Sequence, residues 1–110
     1  MIVSCSFNHT VSAGSFYNKP IDLPHLINWR IQCYSSVVPA YDSRLMLPMK
    51  SPTGTTFVIY TVFQTAGVIY GWSEGNEPLP RTAYLSLWAN GSSNTSFTVT
   101  IVGELADNEH

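Results

Sequence analysis

Cys5 and Cys33 are the residues best suited to covalent chemistry in this chain. If Val3, Cys5 and Phe7 form one inward strand face, and Ile27, Trp29, Ile31 and Cys33 another, both thiols point into a core in phase. Two such thiols either bridge, which stabilises by about 3–4 kcal/mol in the chain-entropy account, or remain free as small buried hydrophobes. Both outcomes stay open. Neither a C-x-x-C pair nor clustered Cys/His spacing is present, so no metal site is expected. The histidines are His9, His25 and His110, and His25 can be combined on paper with Asp22, Asp42 and a hydroxyl into a triad. No nucleophile elbow, HExxH or glycosidase signature supports that combination. With 23 Ser and Thr in the chain, chance pairings are expected. The acidic residues form no calcium loop, and the glycines are dispersed rather than placed as a phosphate cradle. The chain is therefore expected to be non-enzymatic and to need no cofactor; a small hydrolase or carbohydrate-active enzyme is the weakest alternative.

Aromatic side chains offer a different chemistry. Tyr84 and Trp88 share one face of the run Arg81–Ala89, with Ser86 between them. Such a stripe presents stacking surface with polar handles, which suits sugars and interface anchors. Tyr70 and Trp72, with Tyr60, are candidates to extend it. The competing reading has these rings cover the core from a second layer or lie beneath the Glu74–Pro80 loop. In TTFVIYTVFQ, Phe57, Ile59 and Phe63 alternate with the nearly equally apolar Val58, Tyr60 and Val62. A strand apolar on both faces reads as central and covered twice. In a two-layer fold that makes Val58, Tyr60 and Val62 a candidate subunit interface; the other reading curls the strand into the core.

Positioning these residues requires strands. Gly, Pro, Asn and Ser recur about every ten residues between runs rich in β-branched and aromatic residues, and no helix is predicted. Eight strands are read: Ile2–Asn8, Ser15–Ile21, Leu26–Val37, Arg44–Met49, Thr55–Gln64, Gly67–Ser73, Arg81–Ala89 and Ser96–Leu105. This predicts an all-β fold, a single antiparallel β-sandwich or jelly roll over 1–110, with 106–110 as a polar tail. The last two runs flank Asn90-Gly91-Ser92-Ser93-Asn94, the pattern of a β-hairpin. Ala83, Leu85, Leu87 and Ala89 of the first, and Phe97, Val99, Ile101 and Leu105 of the second, are assigned to the core.

The chain has 110 residues, 45% of them apolar but only 11% charged, with a net charge of −2. Average proteins carry about 25% charged residues. The five cations do not cluster, which argues against nucleic acid and against an anionic membrane surface. No segment approaches the ~20 apolar residues of a spanning helix, so no membrane insertion is expected. The start MIVSCSF lacks the basic and apolar regions of a signal peptide. Little charge repulsion opposes self-association.

The Ser/Thr-rich, charge-poor composition, the run FVIYTVFQTAGVIYGW and the final alternating strand SFTVTIVGEL resemble the protruding, or spike, domains of small non-enveloped RNA virus coat proteins. That resemblance implies display on a virion surface, self-association into dimers or trimers, and contact with a host cell-surface protein or glycan. Cys5-Ser6-Phe7 and Ile31-Gln32-Cys33 also look like the paired cysteines of bacterial pilus subunits or adhesin domains. This second resemblance implies a Cys5–Cys33 disulfide and an extracellular, bacterial cell-surface location. The aromatic residue typical of a pilus subunit's last strand is absent.

Overall fold

The computed structural model describes residues 1–38, 40, 42–50, 56–79 and 82–106, with side chains throughout except at 46–50, 56–60 and 82. The described residues form eight strands: β1 (Ile2–Val11), β2 (Ser15–Asp22), β3 (Leu26–Ser35), β4 (Ser43–Lys50), β5 (Thr56–Gln64), β6 (Tyr70–Gly75), β7 (Thr82–Ala89) and β8 (Thr95–Leu105). They build two antiparallel four-stranded sheets, in the orders β1-β8-β3-β6 and β2-β7-β4-β5. Strands pair 1 with 8, 2 with 7, 3 with 6 and 4 with 5. The chain is thus one long hairpin, out through β1–β4 and back through β5–β8, rolled into two layers. That is the jelly roll, one of the two architectures read from the sequence.

The core lies between the sheets. Ala83, Leu85, Leu87 and Ala89 of β7 face Phe97, Val99 and Ile101 of β8 across it, together with Ile31, Cys33, Leu45 and Phe63, all at most 2% exposed. Burying each large side chain stabilises by roughly 1.5–3 kcal/mol. Inward and outward residues alternate along β8, and along β3 from Trp29 onward; before it a bulge at Asn28 (φ 47°) shifts the phase, so that Leu26 and not the expected Ile27 enters the core.

Three expectations are corrected. First, β7 and β8 are not a hairpin: they lie in different sheets, and Asn90–Asn94 crosses from one to the other. Two strands facing each other across a core have the same alternation as two strands paired side by side. The Asn-Gly step also lacks the left-handed backbone that a tight hairpin turn needs, since among the described residues only Asn28, Gly14 and Gly67 have positive φ. Second, β5 is an edge strand, not a central one. Third, Ala106 is buried rather than part of a loose tail, and its N–H donates to the His25 carbonyl at 3.0 Å.

The two long edges of the sandwich differ. At the β5/β6 edge the sheets close on each other: a Cβ on Gly71 would collide with the Phe63 carbonyl oxygen, and Thr61 Oγ1 meets Ser73 Oγ at 2.7 Å. At the β1/β2 edge His9 stacks on Tyr17 with ring centroids 3.8 Å apart, but the inward-facing Val3, Cys5, Phe7 and Tyr17 are only partly buried.

Candidate functional site

The outer face of the β1-β8-β3-β6 sheet carries three rows of four side chains, set by register. They are Asn8–Thr98–Tyr34–Tyr70, Ser6–Thr100–Gln32–Trp72 and Ser4–Val102–Arg30–Glu74. Because Ile31 and Cys33 are core residues, the residues between them and beside them must face outward. The β1/β8 half of this face is a lattice of small polar groups. Thr98 Oγ1 donates to Asn8 Oδ1 at 2.8 Å, Ser6 and Thr100 hydroxyls meet at 3.1 Å, and Thr10 and Ser96 at 2.9 Å.

The β3/β6 half is aromatic. Tyr34 and Tyr70 rings pack at 4.6 Å, and Tyr70 Oη donates to Gln32 Oε1 at 2.7 Å. The Arg30 guanidinium lies 4.4 Å from the Trp72 ring centroid. Cation–π stacking of this kind fixes the indole plane. Arg30 Nε is buried with no hydrogen-bond partner among the described residues. Tyr34 is 58% and Trp72 48% exposed, so neither covers the core. Glu77, in the segment that follows β6, instead lies against Trp29, whose Nε1 donates to the Glu77 carbonyl at 3.0 Å. Gly75 leaves room for that indole, since a Cβ there would lie 2.7 Å from Trp29 Cζ2.

A shallow groove of about 230 Å³ runs from this face around the closed edge, lined in part by Tyr70, Trp72, Val62 and Val68. Sites for drug-sized ligands are ~300–1,000 Å³, so the groove suits a ligand lying across the surface rather than one enclosed by it. Beneath it Gln64 is buried: its Nε2 donates to Ser35 Oγ at 3.1 Å, while Cys33 Sγ and Ser43 Oγ each donate to Gln64 Oε1 at 3.4 Å. This network ties the ends of β3, β4 and β5 together below the aromatic face. Burial pushes the Cys33 thiol up to about 12.

The predicted aromatics therefore divide. Tyr70 and Trp72 sit together on this face, with Val62 beside them across the edge. Tyr84 and Trp88 lie on the outer face of the opposite sheet, where the exposed Phe16 meets Trp88 edge-on at 6.0 Å. The core separates the two pairs, so no continuous stripe forms. The side chains of Val58 and Tyr60 lie outside the described residues. Sequence reading missed Arg30, Gln32 and Tyr34, although the inward assignment of Trp29, Ile31 and Cys33 already implied their direction.

Cys5 and Cys33 are free thiols. Strand β8 runs between their strands, with Cys5 opposite Ile101 and Cys33 opposite Val99. Two strand spacings amount to about 9–10 Å, whereas bridged Cα atoms lie about 4.4–6.8 Å apart. In-phase side chains were read correctly, but phase says nothing of the strand in between. Among the described residues no group of three or more His, Cys, Asp or Glu converges as metal ligands would. No helix among them is long and apolar enough to cross a membrane.

No family model matches the chain, and no curated protein sequence matches it. Among solved structures, it is similar to a family 16 carbohydrate-binding module at 10% identity and TM-score 0.49, covering 84% of this chain and 73% of that one. It is similar to a subunit of the disulfide-linked pili of Bacillus endospore appendages at 14% identity and TM-score 0.39, covering 96% and 89%. Infectious bursal disease virus, Gx strain, is similar at 11% identity and TM-score 0.33, over 97% of this chain and 33% of the viral one. At such identities and scores, function has to be read from the face itself.

Proposed function

We propose that this chain is a non-enzymatic recognition module, displayed on a virion surface, that binds a host glycan on the outer face of β3 and β6. The observation that carries this reading is the exposed cluster Tyr34, Tyr70 and Trp72, set in register with Gln32, Arg30 and Glu74 and flanked by Thr98 and Thr100. A pyranose ring presents C–H groups on its faces and hydroxyls around its rim. Aromatic faces take the first, and amide, carboxylate, guanidinium and hydroxyl groups take the second. The groups are held in place before any ligand arrives: Arg30 steadies Trp72, and Gln32 accepts from Tyr70. Preorganisation lowers the ordering cost of binding.

The jelly-roll strand order supports display, since that architecture recurs in viral capsid and lectin domains. A bacterial cell surface is the alternative location. The pilus reading loses the Cys5–Cys33 bridge on which it rested. A second reading, a host protein as receptor, is favoured by the apolar corner beside Tyr34, where Val37, Val38, Val68 and Ile69 are all exposed. That corner is held by the bond from Ser35 N–H to the Ile69 carbonyl at 2.8 Å.

A glycan array followed by calorimetry on the best-ranked saccharide tests the proposal. Trp72→Ala is expected to weaken binding at least about tenfold, while a surface position of this kind changes stability by less than about 1 kcal/mol. Undiminished affinity in that variant, or no saccharide bound at all, overturns the glycan reading; binding of a host protein instead transfers the face to the second one.

A further inference from the structure

We infer that the free edge of β1 is a pairing edge for a second copy of this chain, joining two antiparallel β1 strands into one continuous eight-stranded sheet. β1 is ten residues long and pairs with β8 from Ile2 to Val11 without a register shift. No hydrogen bond between described residues takes up its other side. A long, regular edge strand is a template for another chain unless something blunts it, and natural edges are blunted by Pro, by inward charge, by shortness or by cover.

The other three edges each carry such a device. β2 contains Pro20 and the half-buried Lys19, which sits on the inward side opposite the core residue Leu85. β6 has only six residues, and it closes against β5 through Gly71 and the Thr61–Ser73 contact. β1 has none: Ile2–Val11 contains no Pro, no Gly and no Asp, Glu, Lys or Arg.

Two features favour a copy of the same chain as the occupant. A strand without Asp, Glu, Lys or Arg, laid antiparallel to itself about a two-fold axis, opposes no carboxylate, ammonium or guanidinium to its like and satisfies its own donors and acceptors reciprocally. The sandwich is also unfinished at this edge, where Val3, Cys5 and Phe7 point inward but are only partly buried. A neighbouring β1 brings the same three side chains to extend the core. The axis stands perpendicular to the sheet, so both outer faces with their Tyr34–Trp72 clusters look the same way.

Light scattering across a concentration series, with amide hydrogen exchange, tests this. The wild type is expected to dimerise at high micromolar concentration, and alternate amides of β1, those facing away from β8, are expected to become protected as it does. Ser6→Lys places like charges beside each other near the axis on an exposed position, and should weaken the dimer at least about tenfold with the fold intact. Ser4→Lys repeats the test should Ser6→Lys prove unstable. Asn18→Lys adds the same charge on β2 and should leave the dimer unchanged. A wild type that stays monomeric overturns the inference. So does a dimer that survives both β1 variants, or one whose outward β1 amides exchange freely.

Discussion

Among individual residues, Cys33 shows most plainly how position overrides type. Placed in the core with Ile31 and Val99 for company, its thiol donates weakly to Gln64 and is pushed from the ordinary 9.0 up to about 12 by burial. Between those values the unfolded chain releases this proton and the folded chain keeps it. The folded state then holds more protons than the unfolded one, so stability falls as pH rises from 9 toward 12. Over the first 1.5 units the loss comes to about 2 kcal/mol. Urea unfolding at pH 8.5 and pH 10.5 should show it in the wild type and show less of it in Cys33→Val; equal losses would count against the burial account. Trp72 makes the opposite point. Both tryptophans sit in alternating strand runs, yet Trp29 is buried and Trp72 stands in solvent against Arg30. That Tyr70 and Trp72 share a face was legible from alternation alone. Their partners Arg30, Gln32 and Tyr34 come from a strand about forty residues earlier, and only the β3–β6 register brings them there.

Among elements, strand existence could be read closely from punctuation, and each of the eight expected runs overlaps one strand, although β6 begins at Tyr70 rather than Gly67. Pairing could not. The two runs around Asn90-Gly91 carry the local hairpin pattern and still part company, because a side chain's period records which face is buried and not which neighbour shares the ladder. Only β4 and β5 pair as sequence neighbours among the described strands. The edge between β5 and β6 depends on one residue. Gly71 lets the two backbones approach, and any Cβ there would collide with the Phe63 carbonyl, a backbone atom that cannot swing away. Gly71→Ala is therefore expected to cost at least about 3 kcal/mol, at the upper end of overpacking effects. Chemical denaturation reads the change directly. A loss below about 1 kcal/mol would mean that the two sheets can separate at this edge without penalty, and the groove beside Trp72 would then be less fixed than described.

In the whole molecule, the rolled long hairpin sets the two aromatic groups on opposite outer faces, with Tyr34, Tyr70 and Trp72 on one sheet and Phe16, Tyr84 and Trp88 on the other. Composition had already pointed to a charge-poor surface, and the aromatic runs to sugars or interface anchors. Neither could say which face, because strand order in a jelly roll follows from how distant segments nest, and no local run encodes that. The core residues were legible for the same reason that the faces were not: inward positions repeat in every strand, whereas outward rows are assembled from four separate strands. Binding is assigned to the β3/β6 side because there the exposed rings of Tyr34 and Trp72, with Tyr70, share a face with an amide, a guanidinium, a carboxylate and threonine hydroxyls. The most direct test is an amide chemical-shift map recorded while the best array saccharide is added. Shifts confined to residues 30–34, 70–74 and 98–100 are predicted; shifts centred on residues 16–20 and 84–88 would contradict the assignment and give the function to the opposite face.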